Sequence, residues 1–259
     1  MNKQTLVALT VLALLLAACG MSQKYSEELQ ESFAVGDAPM LIVDNFAGDV
    51  VVRAGESGTV RVVATKRAAR EKDLDRIDVE MKERDGGLEI ITDPPSGWKS
   101  VSVDLEITVP ASAHVDLHTG AGDVIVRDLE GDVRADSNSG DVDVRDTSGE
   151  IDAHTNAGHI DVRRAIGSVH LDTSAGNIKY QGTPQGDCRF ETSAGSIKLI
   201  LPANVNVRLD LDATVGDIDV DMSVEGTVSS RKVKGTIGSG DGGEIRAHTS
   251  AGNIDLISE

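Results

Sequence analysis

A glycine that precedes one small or polar residue and then Val or Ile recurs in this chain about every nine residues. The pattern is regular from Gly122-Asp123-Val124 onward and continues with single-residue slips to the C-terminus. A repeat of fixed length typically indicates a fold in which small units stack on one another. The turn glycines that we assign as structural are Gly122, Gly131, Gly140, Gly149, Gly158, Gly167, Gly176, Gly195, Gly216 and Gly252.

Each glycine begins a short segment in which apolar and polar residues alternate. In Val142-Asp143-Val144 the apolar residues stand two and four positions after Gly140, and a charged residue separates them. Two inward side chains that flank an outward one are typical of a short β-strand. Aromatic residues make up only 2% of the chain, which suits a thin interior filled by aliphatic side chains.

The step of nine conceals a repeat of eighteen, because every second glycine follows a Thr-rich or Ser-rich segment such as Thr155-Asn156-Ala157. We therefore predict an all-β fold, a parallel β-solenoid (β-helix) with about 18 residues and two short strands per coil, and two unlike corners. About seven such coils would form a rod roughly 35 Å long. Stacking would align one ladder of polar residues, namely Thr119, Ser137, Thr155, Thr173 and Thr192.

The solenoid domain is predicted to cover residues 39–259, divided into an N-terminal β region (39–108) and the regular repeats (109–259). The N-terminal region already contains one repeat unit, Gly48 to Arg53, and Trp98 lies in a predicted loop. A segment without period-two alternation, 67–76, predicts one short helix. Alternation predicts strands over 60–64, 77–81, 88–92 and 101–109.

A longer internal repeat occurs within the regular region. The segment Val109 to Leu117 matches Leu201 to Leu209, and both begin with an apolar residue followed by Pro-Ala. We expect these segments to form wider coils that interrupt or restart the stack. The last unit, Gly252 to Glu259, is expected to leave an open edge at the end of the rod, where Asp255 and Glu259 discourage end-to-end stacking.

The N-terminus has the pattern of an export signal. Residues 1–18 contain a basic residue, Lys3, followed by an apolar run that is too short to span a membrane. Leu16-Ala17-Ala18-Cys19 resembles the bacterial lipobox, which implies lipidation of Cys19 and a membrane anchor; the alternative is an ordinary signal with an incidental cysteine. Since Gly20 replaces the Asp that retains lipoproteins at an inner membrane, the outer membrane is favoured if the bacterium has two. Polar residues 19–38 are predicted to be a tether.

The repeats taken together resemble the DUF4097 family. The residues that carry the resemblance are the segment 50–64, the Pro-Ala segments, the Thr-Ser-Ala-Gly units such as 173–176, and the closing run 235–257. That family bears the name of an adhesin and is similar to the head GIN domain group. The resemblance implies a parallel β-solenoid and no established activity, substrate or catalytic residues.

Calcium binding is one role that the sequence suggests, because aspartates in the glycine-rich corners of some solenoids bind calcium. The candidates are Asp123, Asp132, Asp141, Asp187 and Asp217. The same corner position also accepts Glu150, His159 and Ser168, so side chains that hydrogen-bond the turn backbone explain the set better. Three histidines at one corner, His118, His154 and His248, would not converge as zinc ligands do. We predict no metal, no cofactor and no catalytic residue, and a buried apolar role for Cys188.

The chain carries a formal net charge of −18, which makes nucleic acid a poor partner. We predict a non-enzymatic lipoprotein of the cell envelope, adhesin-like or structural, that contacts an envelope or surface protein or polysaccharide. The alternative is a carbohydrate-active β-helix enzyme, in which outward acids such as Asp143, Asp152 and Asp161 would be paired carboxylates.

Overall fold

The computed structural model describes residues 24–259, so the predicted signal and Cys19 lie outside the described residues. Within this range, no helix has the length and apolar character of a membrane span. The first elements are β1 Tyr25–Ala34, β2 Met40–Asn45, β3 Val50–Gly55, β4 Thr59–Ala68, α1 Glu71–Leu74, β5 Asp78–Arg84, β6 Gly87–Asp93, β7 Val101–Pro110, β8 His114–Thr119, β9 Val124–Arg127 and β10 Val133–Ser139. They are followed by β11 Val142–Arg145, β12 Ile151–Ala157, β13 Ile160–Ala175, β14 Ile178–Ala194, β15 Ile197–Leu201, β16 Val207–Val215, β17 Ile218–Val220, β18 Glu225–Val228, β19 Lys232–Ile237, β20 Glu244–Ala251 and β21 Ile254–Ser258.

The strands stack in parallel on two faces of a solenoid, which confirms the predicted all-β fold. The order on the first face is β6, β2, β8, β10, β12, the second half of β13, the second half of β14, β20 and β16. The order on the second face is β7, β3, β9, β11, the first half of β13, the first half of β14, β15, β21 and β17. Nine coils with a strand spacing of about 4.8 Å give a stack of about 38 Å.

The interior is the thin aliphatic column that the alternation predicts. Val142, Val144, Ile160 and Val162 are fully buried, whereas the intervening Asp143 is only partly buried. Most coils contain two strands, but β13 and β14 run on through one corner, with bulges between Arg163 and Ala165 and between Gly167 and Val169. The two corners of a coil therefore differ, as predicted.

The N-terminal region contributes two coils whose spatial order differs from their order in the chain. Strand β2 lies between β6 and β8, and β3 lies between β7 and β9, so the coil formed by residues 40–55 separates two coils that follow it in sequence. The chain passes from β7 to β8 over this coil through Pro110 to Ala113. Ala113 N donates to Pro110 O at 3.0 Å in that step.

The C-terminal end repeats this arrangement, and it overturns the prediction of an open edge at the last unit. Strand β20 lies between β14 and β16, and β21 lies between β15 and β17, so the last coil in sequence is internal. The chain passes over its position through Pro202 to Val205, where Val205 N donates to Pro202 O at 3.0 Å. The matching Pro-Ala segments are thus the two places where the chain steps over one coil.

Antiparallel strands cover the ends of the stack. Strand β4 pairs with β7 and β1 pairs with β4 at the N-terminal end, where β5 also pairs with β6. At the other end β19 pairs with β16, and β18 pairs with β19. The predicted tether 19–38 is therefore wrong for Tyr25–Ala34, because this polar, alternating segment pairs with β4 over its full length.

The short helix is smaller than predicted, since α1 covers only Glu71–Leu74. Arg67 and Ala68 belong instead to β4, whose pairing with β7 extends to Val101. The predicted strands in 60–64, 77–81, 88–92 and 101–109 correspond to β4, β5, β6 and β7. Trp98 lies between β6 and β7, outside any strand, with its ring 5.4 Å from that of Phe46.

Candidate interaction surfaces

The acidic residues after the corner glycines hydrogen-bond the backbone of the neighbouring coil. Asp123 Oδ1 accepts from Asp141 N at 2.8 Å, and Asp141 Oδ1 accepts from His159 N at 2.7 Å. The same bond links every coil of the stack at this corner, in the order Asp104, Asp49, Asp123, Asp141, His159, Asn177, Ser196, Asn253 and Asp217. These side chains satisfy backbone donors that solvent would otherwise have to satisfy.

At the opposite corner, side chains accept the same kind of backbone hydrogen bond at fewer coils. Asp132 Oδ1 accepts from Glu150 N, and Asp187 Oδ1 accepts from Glu244 N, each at 2.9 Å. Within residues 24–259 no group of three or more His, Cys, Asp or Glu residues is arranged to hold a metal ion. The sequence pattern that suggested calcium therefore has a structural explanation in the turns.

The corner glycines are required by close stacking as well as by backbone conformation. Gly149 has a φ of +135°, a region that residues with a Cβ rarely adopt. Gly158 lacks a positive φ, yet a Cβ there would lie 2.0 Å from Gly140 O of the neighbouring coil. Positive φ therefore explains some of these glycines, and the close approach of adjacent coils explains others.

The predicted Thr/Ser ladder lies inside the rod rather than on its surface. Thr155 is fully buried, and its Oγ1 donates to Gly140 O at 2.9 Å across one coil. The bond recurs from Thr119, Ser137, Thr173, Thr192 and Thr249 to the corner glycine of the preceding layer. This ladder strengthens the stack and presents nothing to a ligand.

The outward side chains of the first face form columns in which acidic and basic groups meet. His154 Nδ1 lies 2.8 Å from Asp172 Oδ1, and His170 Nδ1 lies 3.4 Å from Asp152 Oδ1. One column reads Asp116, Arg134, Asp152, His170, Arg189, Arg246, Asp210 and Lys234. The histidines thus alternate with carboxylates and do not converge on one point.

The second face carries a column of arginines that the sequence analysis missed. Arg53, Arg127, Arg145 and Arg163 lie in register on four successive coils. A sequence signal existed, because each of them stands five residues after a corner glycine in a Gly-x-Val/Ile-x-Val-Arg unit. The Nε atoms of Arg127 and Arg145 are buried and have no hydrogen-bond partner.

Two of these arginines are paired with acids on their own strands. Arg145 forms an ion pair with Asp143, and Arg163 Nε donates to Asp161 Oδ1 at 2.8 Å. The hydrogen bond and the negative charge of Asp161 raise the pKa of Arg163 above its ordinary value. Both aspartates are thereby occupied as acceptors of arginine.

The carboxylates considered for glycoside hydrolysis do not form one group. Asp143 and Asp161 are register partners on the second face, whereas Asp152 lies on the first face. Asp143 and Asp161 line a shallow depression of about 450 Å³ together with their arginines, and it is open to solvent. Each of these two carboxylates is engaged by the guanidinium of an arginine on its own strand, so neither is free to serve as the proton donor that glycoside hydrolysis requires.

Cys188 is buried on the inner side of β14, where burial raises the pKa of its thiol to about 11. Its position is the one that Val169 and Ile245 occupy on the neighbouring strands. Phe190 lies two residues further, with its ring 5.2 Å from that of Tyr180. Cys188 is therefore a packing residue.

Comparison with known proteins gives one family and several distant structures. The family described as Toastrack DUF4097 matches residues 100–257. A "putative cell adhesion protein" from Clostridium sporogenes shares 12% identity, with 89% of this chain and 99% of that chain covered and a TM-score of 0.38. A "putative adhesin" from Bacteroides fragilis shares 11% identity, with 90% and 97% covered and a TM-score of 0.40. No curated protein matches the chain.

Proposed function

The chain belongs to the Toastrack DUF4097 family, and we propose that it acts as a non-enzymatic, adhesin-like binding or structural rod of the cell envelope. The observation that carries the proposal is the pair of long, solvent-exposed faces, each with charged side chains in register from coil to coil. Such faces offer repeated contacts to an extended partner. The partner is an envelope or surface protein or polysaccharide.

The contacts of the outward carboxylates support a non-enzymatic role. Asp143 and Asp161 accept from arginines, and Asp152 lies beside His170 on the other face. The Asp143–Asp161 depression is shallow and open to solvent, so it would not exclude water from a bound sugar. These features oppose the alternative of a carbohydrate-active enzyme.

Attachment to the membrane is proposed through diacylglycerol on Cys19. Since β1 begins at Tyr25, residues 20–24 alone separate the acceptor from the folded rod, a reach of at most about 20 Å. The anchor would hold the N-terminal end of the stack, where β1 and β4 lie, close to the membrane. The end formed by β16, β17 and β19 would project away from it.

The lipid anchor is tested by intact-mass measurement of the membrane-extracted protein and of its Cys19→Ser variant. We expect cleavage before Cys19 and added acyl mass in the wild type, and neither in the variant. A mature protein that carries no acyl group would disprove the anchor while leaving the binding function untouched.

The binding function is tested with a chain that begins at Gly20, without signal or lipid, added to isolated envelopes. We expect saturable binding that unlabelled protein displaces, and no increase in reducing ends when envelope polysaccharides are incubated with the rod. Asp143→Asn/Asp161→Asn serves as the control for any activity seen. Hydrolysis that this double variant abolishes would establish the enzyme alternative, and a lack of envelope binding would refute the binding role.

A further inference from the structure

The arginine column of the second face continues beyond the coils onto an antiparallel strand. Arg53 is the register partner of Thr108 on β7, and Thr108 is the partner of Arg61 on β4. The column therefore crosses six adjacent strands, a length of about 24 Å along the rod axis. We call Arg61, Arg53, Arg127, Arg145 and Arg163 the arginine stripe.

Three members of the stripe form no ion pair. Among residues 24–259, Arg61, Arg53 and Arg127 form no ion pair, although like charges on adjacent strands repel one another. Val51 and Ile125 are the outward residues two positions before Arg53 and Arg127, and Val63 is the outward residue two positions after Arg61. Glu106 of β7 lies in register between Val63 and Val51 and forms no ion pair with the stripe. An anionic ligand would relieve the repulsion between arginines that no ion pair compensates.

The first face shows what a compensated surface looks like in the same protein. Arg134 pairs with Asp136, Arg189 pairs with Glu191, and Arg246 pairs with Glu244. These three arginines are thus neutralised on their own strands. Arg61, Arg53 and Arg127 of the arginine stripe have no such partner in the described part of the chain.

The borders of the stripe limit what can bind to it. Exposed acidic residues stand at both ends of these short strands, with Asp123 and Asp141 at one corner and Asp128 and Asp146 at the other. A flat anionic membrane would meet these acids together with the arginines, and a nucleic acid would find no aromatic side chain for base stacking along the stripe. A single extended anionic chain can lie between the two acidic borders.

We propose that the arginine stripe binds a linear acidic polysaccharide that runs along the rod axis. This inference rests on the proposed binding function and names its ligand class. Guanidinium groups bind carboxylates through paired, charge-assisted hydrogen bonds. Each uronic acid residue carries one carboxylate, and the ring faces of the chain can cover Val51 and Ile125. The net charge of −18 repels any anionic polymer at long range, but salt screens charges beyond about 8 Å, so the arginines of the stripe dominate at contact.

The test uses a chain that begins at Gly20, which lacks the signal and the lipid acceptor, and a hexamer of galacturonic acid as the probe. Calorimetric titration is expected to show saturable binding that weakens as salt is added. The fully methyl-esterified hexamer has the same chain without its charges and is expected to bind at least tenfold more weakly. Equal affinity for the two probes would overturn the proposal, as would no binding of the acidic hexamer.

A matched pair of double variants locates the site. Arg53→Gln/Arg127→Gln is expected to lower the affinity for the acidic hexamer at least tenfold. Arg134→Gln/Arg189→Gln also removes two positive charges, but from the first face, and is expected to change the affinity less than twofold. Circular dichroism verifies that both variants are folded, and equal losses in the two would show that binding depends on total charge and not on the stripe.

Two further outcomes separate this inference from the proposed function. Vesicles containing phosphatidylglycerol are expected not to bind the chain that begins at Gly20. Stripe-dependent binding to these vesicles without binding to the hexamer would identify a membrane surface as the ligand and overturn the polysaccharide proposal. If the Arg53→Gln/Arg127→Gln variant binds envelopes as the wild type does, the stripe is not the site and only this inference fails. If the wild type does not bind envelopes at all, the proposed function itself fails.

Discussion

At the residue scale, the alternation along each short strand separates packing from surface chemistry. Val144 is fully buried in the interior, whereas the adjacent Asp143 is outward and pairs with Arg145. Neighbouring positions in the chain therefore respond very differently to substitution. The same logic explains why Cys188 stands in a row of valine and isoleucine residues.

Replacing Val144 with Asp should destabilise the rod by more than about 3 kcal/mol, because a buried carboxylate without a partner is costly. Asp143→Asn removes only a partly exposed ion pair, and a loss of less than about 1 kcal/mol is expected. Urea denaturation followed by circular dichroism measures both. A large loss for Asp143→Asn would indicate that the inward and outward assignments are reversed.

The buried threonine ladder predicts a hydroxyl-specific effect. Thr155→Val keeps the shape of the side chain but leaves Gly140 O without the hydrogen bond that Thr155 donates, at a cost of about 1–3 kcal/mol. Thr155→Ser retains the donor, and Ser137 already fills the equivalent position of the adjacent coil. We expect the Ser variant to lose less stability than the Val variant, and the reverse order would argue against a role of the hydroxyl.

Cys188 predicts a change in stability at alkaline pH. Burial raises the pKa of its thiol from 9.0 to about 11, so the unfolded chain releases this proton at a lower pH than the folded chain. The stabilisation is therefore complete below about pH 9 and is lost as the pH rises toward 11, with a loss of about 1 kcal/mol at about pH 10. The Cys188→Val variant has no thiol to ionise. Its denaturation midpoint should therefore fall less than that of the wild type between about pH 8 and pH 10. Parallel declines in the two proteins would contradict a buried thiol.

At the element scale, the two interleaved coils distinguish this rod from a simple succession of repeats. Residues 40–55 and 244–258 each lie between two other coils, so segments near both chain ends are bonded on both sides. The Pro-Ala steps at 110–113 and 202–205 make the room for them. Both inserted coils pair with strands that are far away in the chain. The ladder of corner hydrogen bonds runs through both of these coils without a gap.

Hydrogen exchange should reveal this arrangement directly. Amides of β20 and β21 are expected to be protected about as strongly as those of β12, because each strand has a partner on either side. Strand β18 pairs only with β19 in the described part of the chain, so its amides should exchange much faster. Fast exchange throughout 244–258 would show that the C-terminal coil is at an exposed end.

At the scale of the whole molecule, the strands at the ends of the stack determine whether one rod associates with another. The outermost strand of the second face at the N-terminal end is β1, which carries Glu27, Glu28 and Glu31. Charged residues on a terminal strand discourage pairing with another molecule. The segment first interpreted as a tether therefore protects the edge of the sheet.

Deleting the residues before Gly36 should expose the edge of β4 and promote association between rods. A chain that begins at Lys24 retains β1 and is the matched control, expected to be monomeric. Light scattering after size-exclusion chromatography measures the mass of both. A shortened chain that remains monomeric at the same concentrations would show that β1 does not protect this edge.

The sequence alone determined the coil and its interior, since the eighteen-residue repeat places equivalent side chains at the same point of every layer and strand alternation decides which of them face inward. It also contained the signal for four arginines of the stripe, five residues after successive corner glycines. Arg61 joins that stripe only because β4 returns antiparallel to β7. The position of each coil in the stack, the strand Tyr25–Ala34 and the internal place of the last unit were likewise decided by the tertiary structure. The physical reason is that alternation and glycine corners are local and equal in every coil, whereas the neighbour of a coil is set by hydrogen bonds between residues far apart in the chain.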